Sequence, residues 1–275
     1  MTATPVRHPA VAGRFYSGDP EVLRNEVCAC LAQKPTPKPV RALGCIVPHA
    51  GYVYSGHVAG AVFAGLNIPK LCLVICPNHT GMGRALAIMS KGVWQTPLGD
   101  VPIDSQFAAA LMQRCALLHE DSMAHRSEHA AEVELPFLQV RQPHLKFVPI
   151  ALGTGEFEVL EQLGDAIADV IAVQHDPILI IASSDMNHYE SDAITRVKDQ
   201  SAIEPILKLD ARALFEVVSQ QKISMCGFGP AVAMLTATRK LGATSAELVK
   251  YATSGDISGD RDLVVGYAGV IVPGP

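Results

Sequence analysis

Three histidines follow short apolar runs that have the length and composition of buried β-strands. His49, His79 and His188 each lie in the loop just past such a run. In an open parallel sheet, the carboxyl ends of the strands and their loops converge on one crevice. Neutral imidazole is the commonest protein ligand for Fe, Cu and Zn. His49 and His79 are therefore predicted to bind one metal ion; the alternative is that each serves only a glycine-containing turn.

Cys226 is the best candidate for a third, anionic ligand. It lies in the glycine-rich segment 224–230, just before a predicted helix over 230–241. A thiol near a helix N-terminus has a lowered pKa, so Cys226 is expected to be a thiolate, the form that binds metals. The alternative is an inert buried cysteine.

Asp185 and His188 place a carboxylate and an imidazole three residues apart after a third strand. Asp185 can orient a ligand histidine or bind the metal itself. His188 can act as a general acid or base, because its ordinary pKa lies near neutrality. The alternative is a turn in which Asp185 bonds its own backbone. Ser183 and Ser184 lie outside any Gly-x-Ser-x-Gly elbow, which disfavours a serine hydrolase.

A fourth polar segment is predicted to begin a helix over 128–140, with Ser127 as its N-cap. Glu128 and Glu132 would then share one face of the helix. These two residues and His129 are candidates to contact substrate or to support the metal ligands. A solvated helix start explains the same charges.

The elements that must position these residues alternate along the chain. Strands separated by helices of 10–15 residues predict a largely parallel sheet covered on both faces. The 275 residues fit one α/β domain over 1–275. The strands are predicted at 43–48, 71–76, 85–89, 145–151, 177–182, 246–252 and 263–272, the last two as an antiparallel hairpin. The other helices are predicted at 19–33, 56–66, 104–116, 156–172, 192–208 and 210–220.

Composition excludes several classes of protein. Apolar residues make up 49% of the chain and charged residues 18%, which favours a sizeable core. The net charge of −5 gives no footprint for nucleic acid or an anionic membrane. No segment reaches the roughly 18 apolar residues of a membrane span. The N-terminus has no signal-peptide core, so a cytoplasmic location is expected. Seven cysteines, an odd number, argue against a disulfide framework.

In combination, five stretches of this sequence resemble the Memo family, and the resemblance covers essentially the whole chain. The family is similar in fold to the class III extradiol dioxygenases, so the resemblance implies a three-layer αβα domain with a central, largely parallel sheet. Tyr54, in the second stretch, joins the residues expected to contact substrate or support the ligands. Ala130 stands where many relatives have serine, a change that alters local hydrogen bonding. The matching stretches are 9–16, 48–56, 77–79, 128–137 and 183–188.

The resemblance also implies a ligand set and a role for one histidine. The dioxygenases hold non-haem Fe(II) with two histidines and one glutamate. By resemblance, His49 and His79 are the two histidine ligands, and Cys226 takes the place of the glutamate. His188 corresponds in role to the acid/base histidine of the dioxygenases.

Two classes of function follow from this resemblance. In the first, the protein is a metal-dependent oxidoreductase that binds Fe(II), or alternatively Cu, and a small-molecule substrate such as an aromatic diol. In the second, the crevice is a non-catalytic module that binds a metal, a peptide or a partner protein. A Zn hydrolase is a third option, because two histidines, a cysteine and water form a legitimate zinc set.

Overall fold

The computed structural model describes residues 4–32 and 38–274, which form two sheets and their covering helices. The strands are β1 (Val6–Arg7), β2 (Ala42–Val47), β3 (Leu71–Pro77), β4 (Leu86–Ile88), β5 (Val93–Thr96), β6 (Gly99–Pro102), β7 (His119–Glu120), β8 (Lys146–Leu152), β9 (Ile178–Ser183), β10 (His188–Glu190), β11 (Glu247–Thr253) and β12 (Val264–Pro273). The helices are α1 (Pro20–Leu31), α2 (Tyr52–Ala64), α3 (Ser105–Arg114), α4 (Leu135–Arg141), α5 (Phe157–Ala172), α6 (Asp192–Leu207), α7 (Ala211–Gln220), α8 (Phe228–Lys240) and α9 (Gly255–Ser258).

The large sheet has a parallel centre and mostly antiparallel flanks. Its order runs β10-β12-β2-β9-β3-β8-β4-β7, and β11 also pairs with β12. The four central strands β2, β9, β3 and β8 are parallel, whereas β12 and β4 run antiparallel to their central neighbours. The predicted α/β fold with a largely parallel sheet is thus confirmed, as is the closing β11–β12 hairpin.

Helices cover both faces of the parallel centre. On one face α8 packs against β2, β9 and β3, with α5 against α8; on the other, α2 packs against β2 and β12, with α1 and α4 beside it. The central strands are buried along almost their whole length, as expected of two-face burial. Gly60 lets α2 lie against α1, because a Cβ there would meet the Cys30 carbonyl oxygen at 2.2 Å.

The prediction of a helix from residue 128 is wrong. A single 3-10 turn spans Glu132–Glu134, α4 follows it, and the segment before the turn is irregular. The cause is that the Glu128 carboxylate accepts the N–H groups of His79 and Ala130, so this residue bonds to a loop instead of starting a helix.

The short strands β5 and β6 were also not predicted. They form a hairpin that pairs with β1 in a separate three-stranded sheet. The helix predicted over 104–116 is found as α3, and Asp104 caps it by accepting the N–H of Phe107. Among the described residues, none of the helices has the length and apolar character needed to cross a membrane.

Candidate metal centre

Three imidazoles form a compact group at the carboxyl edge of the parallel strands. His49, His79 and His129 each offer one ring nitrogen, and these nitrogens all lie within 4.8 Å of one another. The ring centroids are 5.2 Å apart for His49 and His79, 5.4 Å for His49 and His129, and 4.7 Å for His79 and His129. His49 is buried, whereas the His79 side chain is 34% exposed. The group can hold one metal ion and remains accessible from solvent.

The fold brings the first two histidines together across a third strand. His49 follows β2 and His79 follows β3, and β9 lies between these strands in the sheet. Ser183, the last residue of β9, pairs in register with Val47 of β2. Since all three strands are parallel, their carboxyl ends meet at one edge, and their loops enclose the site.

His49 is held by contacts to both its backbone and its ring. Its backbone N–H donates to Asp185 Oδ1 at 2.8 Å, and its Nδ1 lies 2.8 Å from Ser183 Oγ. Ser183 Oγ also lies 2.7 Å from the carbonyl oxygen of Ala130, which can only accept. The hydroxyl proton therefore goes to Ala130, and His49 Nδ1 must carry its own proton. His49 Nε2 is left with a lone pair that can bind a metal ion.

His79 and His129 share the buried carboxylate of Glu128. The His79 ring donates from Nδ1 to Glu128 Oε1 at 2.9 Å, and the His79 backbone N–H donates to Oε2 at 2.6 Å. His129 Nδ1 lies 3.3 Å from Glu128 Oε1. Phe15 packs on His129 with ring centroids 4.8 Å apart. A carboxylate behind a ligand histidine fixes its tautomer and orientation, and makes Nε2 of His79 the metal-binding atom.

The environment keeps two of the three imidazoles neutral. Burial and the neighbouring His79 lower the pKa of His49 to about 3, and burial and His49 lower that of His129 to about 4. Burial also lowers the pKa of His79, but the hydrogen bond and charge of Glu128 outweigh it and raise the pKa above its ordinary value. Neutral imidazole is the form that binds metal.

Cys226 lies beside this group, just before the start of α8. Its Sγ is 3.2 Å from His49 Nε2, and the backbone N–H of Asp185 donates to it at 3.3 Å. The prediction of a lowered pKa is wrong: burial, and secondarily the charge of Asp185, raise the pKa of the thiol. Desolvation thus exceeds the effect of the helix N-terminus. Binding of a cation would favour the thiolate, as it does in other metal sites.

The remaining predicted residues are placed unequally around the centre. His188 donates from Nδ1 to the Ser224 carbonyl oxygen at 2.9 Å, which leaves Nε2 as its free nitrogen. The Asp185 carboxylate is buried and holds the His49 backbone. Tyr54 lies in the first turn of α2 and is 39% exposed, and no contact with the three imidazoles is seen within the described part of the chain.

Glu132 has a structural contact that the sequence pattern did not indicate. It is fully buried and forms an ion pair with Arg7. It also accepts the backbone N–H groups of Ala10 and Val11 and the hydroxyl of Tyr16. Its carboxylate is therefore bonded to residues of the N-terminal arm.

Two residues that support the centre were not predicted from the sequence, and a third has a role other than the predicted one. Ser183 was considered only as a nucleophile, and Glu134, whose Oε1 lies 3.0 Å from Ser183 Oγ, was not considered. His129 was expected to contact substrate or support the ligands, whereas it is a full member of the imidazole group. Glu134 is a charged residue directly before the apolar run 135–138, and this position is the signal that could have indicated a buried, hydrogen-bonded carboxyl group.

The fold and the site together define an α/β protein with a histidine-rich candidate metal centre at the carboxyl edge of its parallel strands. Comparison with known proteins identifies the family. The family model described as "Memo-like protein" matches residues 7–271. The chain belongs to the Memo family.

Several curated relatives match over nearly their full length. A MEMO1 family protein of Methanopyrus kandleri is 42% identical over 277 residues, covering 96% of this chain and 98% of the relative. One from Methanothermobacter thermautotrophicus is 40% identical over 273 residues, covering 96% and 99%. Among solved structures, an uncharacterized protein from Escherichia coli K12 matches at 13% identity with a TM-score of 0.48, covering 82% of this chain and 99% of that chain.

Proposed function

We propose that this protein is a metal-dependent oxidoreductase with a non-haem Fe(II) site, or alternatively a Cu site, at His49 and His79. Cys226 is the proposed anionic third ligand, and His129 is the adjacent nitrogen donor. The observation that carries the proposal is the group of three imidazoles within 4.8 Å of one another. The Cys226 sulfur, 3.2 Å from His49 Nε2, supports it.

The chemistry of these donors fits the proposed metals. Imidazole nitrogens suit Fe, Cu and Zn, and a thiolate is a soft ligand that also suits Cu. Each strand-end histidine has a hydrogen-bond partner behind Nδ1, Ser183 for His49 and Glu128 for His79. Such partners hold the ring in the orientation and tautomer that metal binding requires.

In the proposed reaction the chain orients the substrate and moves one proton. The bound metal would supply the affinity for O₂ and for a bidentate small molecule such as an aromatic diol. His188 is held by Ser224 so that its Nε2 is free to accept a proton from a substrate hydroxyl. The Asp185 carboxylate accepts the backbone N–H of His49, and the Asp185 backbone N–H donates to the Cys226 sulfur, which keeps both proposed ligands in the same crevice.

Metal content of purified variants tests the site. Protein is purified anaerobically, reconstituted with Fe(II) or Cu, and measured by elemental analysis. His49→Ala, His79→Ala and Cys226→Ser should each sharply lower the bound metal, and His129→Ala reports whether the third imidazole is a ligand. His144→Ala, at an exposed histidine outside the group, is the matched control. Wild-type metal content in the first three variants would refute the assignment.

Oxygen uptake tests the reaction separately from metal binding. Metal-loaded wild-type protein is presented with a panel of catechols and aminophenols. We expect uptake that is lost in His188→Asn while the metal content of that variant stays at the wild-type level. A loaded protein that consumes no oxygen with any of these compounds would instead favour the non-catalytic module, which binds a metal, a peptide or a partner protein.

A further inference from the structure

A cleft of about 850 Å³ lies between the N-terminal arm and the segment that precedes the 3-10 turn. His129, a member of the imidazole group, lines this cleft, so the cleft adjoins the candidate metal centre. Its volume lies within the range of small-molecule sites, roughly 300–1,000 Å³. The cleft is therefore large enough to receive a substrate of the proposed metal site.

The charge of the cleft is opposite to that of the chain. Arg14 and Arg126 line it, and both residues are exposed. Within the described ranges, neither guanidinium has an ion pair or side-chain hydrogen bond, whereas Arg7, which also lines the cleft, is paired with Glu132. No aspartate or glutamate is among the described residues that line the cleft, although the chain carries a net charge of −5. Two unpaired guanidinium groups thus set a local positive potential.

The rest of the lining is largely apolar. Phe15 lies against His129, with ring centroids 4.8 Å apart, and Met89 and Met123 also line the cleft. Aromatic and thioether side chains contact the apolar body of a ligand, while guanidinium groups bind carboxylate, sulfonate or phosphate in a paired geometry. The cleft therefore has one group of residues for an apolar body and another for an anion.

We propose that the substrate of this protein is a small molecule with an apolar body and an anionic group, and that Arg14 and Arg126 bind the anion. The anion is placed in the cleft while the reacting end of the molecule faces the imidazole group. This proposal rests on the proposed function for the metal end of the ligand. The anion-binding end rests on the cleft alone.

A pair of isosteric probes tests the anion-binding end. Dissociation constants are measured by calorimetry for 3,4-dihydroxybenzenesulfonate and for its neutral analogue 3,4-dihydroxybenzenesulfonamide, with metal-free and Fe(II)-loaded protein under anaerobic conditions. We expect the sulfonate to bind about tenfold more tightly, as for a hydrogen-bonded charge in a partly exposed site. Arg14→Gln and Arg126→Gln should each reduce this preference, and the double variant should bring it within about twofold of unity. The preference should also fall with added salt.

Arg41→Gln is the matched control, since Arg41 is exposed, lies outside the cleft and precedes β2 at the opposite end of the strand from His49. It should leave the preference unchanged. Equal affinities of the two probes for wild-type protein, or a preference that survives in the double variant, would overturn the anion site. Failure of the proposed function looks different. In that case neither probe would bind more tightly to the Fe(II)-loaded protein than to the metal-free protein, whatever the effect of the arginines.

Discussion

The two strand-end histidines of the centre are oriented by chemically different partners. The partner of His79 is Glu128. Burial raises the pKa of Glu128, but its hydrogen bond and charge interaction with His79 outweigh burial and lower the pKa to about 2. The partner of His49 is Ser183, which in turn contacts Glu134. Burial raises the pKa of Glu134 well above its ordinary value. One imidazole is therefore backed by a carboxylate anion and the other by a hydroxyl and a neutral carboxylic acid.

The hydrogen bonds on the His49 side can be assigned completely. In the described ranges, Ser183 Oγ lies within hydrogen-bond distance of three groups, namely the Ala130 carbonyl, the His49 ring and Glu134 Oε1. Its single proton goes to the carbonyl, so the other two contacts require protons from His49 Nδ1 and from Glu134. Protonated Glu134 satisfies this count, and its other oxygen, Oε2, has no hydrogen-bond partner in the part of the chain described.

The difference shows how hydrogen-bond partners decide the charge of a buried supporting acid, since both glutamates are fully buried. Glu128 keeps its charge because two imidazoles and two backbone N–H groups surround it. Among the described residues, Glu134 has one hydrogen-bond partner, the Ser183 hydroxyl, and it is fully buried, so its neutral form is favoured. The two acids are six residues apart in the chain, and the same substitution at each should therefore have unequal effects.

The largest effect is expected from Glu128→Gln. This change removes the charge that stabilises the His79 ring as a ligand and leaves an amide that cannot accept from both ring and backbone as before. Loss of such a supporting carboxylate typically lowers metal affinity about 10–100-fold. Metal affinity measured by competition with a chelator checks this expectation, and a variant with wild-type affinity would show that the carboxylate has no role in binding.

A smaller effect is expected from Ser183→Ala. The His49 ring loses an uncharged hydrogen bond, so the fall in metal affinity should be less than that of Glu128→Gln. The free energy of unfolding should fall by about 1–3 kcal/mol, because the buried partners of the hydroxyl are left without a hydrogen bond. Urea denaturation and the same chelator competition measure both quantities. Ser55→Ala, at a buried serine whose hydroxyl donates to the Ala50 carbonyl, serves as the control.

The smallest effect on metal affinity is expected from Glu134→Gln, within about twofold, since a neutral side chain replaces a neutral one and no ligand charge is lost. Its effect on the pH dependence of stability should be clear. The folded protein keeps the Glu134 proton at pH values where the unfolded chain has lost it, so this residue makes stability fall as the pH rises above about 4.5.

Urea denaturation between pH 5 and pH 8 measures that contribution. The wild-type protein should lose stability across this range relative to Glu134→Gln, by up to about 1.4 kcal/mol per pH unit for one group. Parallel curves for the two proteins would mean that Glu134 is already ionised when folded. In that event both strand-end histidines would be backed by a charged carboxylate, His79 directly and His49 through Ser183.

Much of the fold could be predicted from the sequence because the central strands are buried on both faces. Such strands are continuous apolar runs, and they are found within about two residues of their predicted positions, with His49 and His79 directly after them. The elements that were missed are short: β1 and β7 have two residues each, β10 has three, and β5, β6 and α9 have four each. Runs of this length carry too few residues for a periodic pattern.

By itself, the sequence determined the α/β core and the strand-end positions of His49 and His79, since the apolar runs that form the central strands, and the residues that follow them, are local features of the chain. Only the tertiary structure decided that His129 joins them, because Glu128 draws this segment out of a helix and onto His79. Tertiary structure also decided the charges of Glu128 and Glu134 and the raised pKa of Cys226. Those depend on desolvation and on contacts between residues far apart in the chain, which no local pattern records.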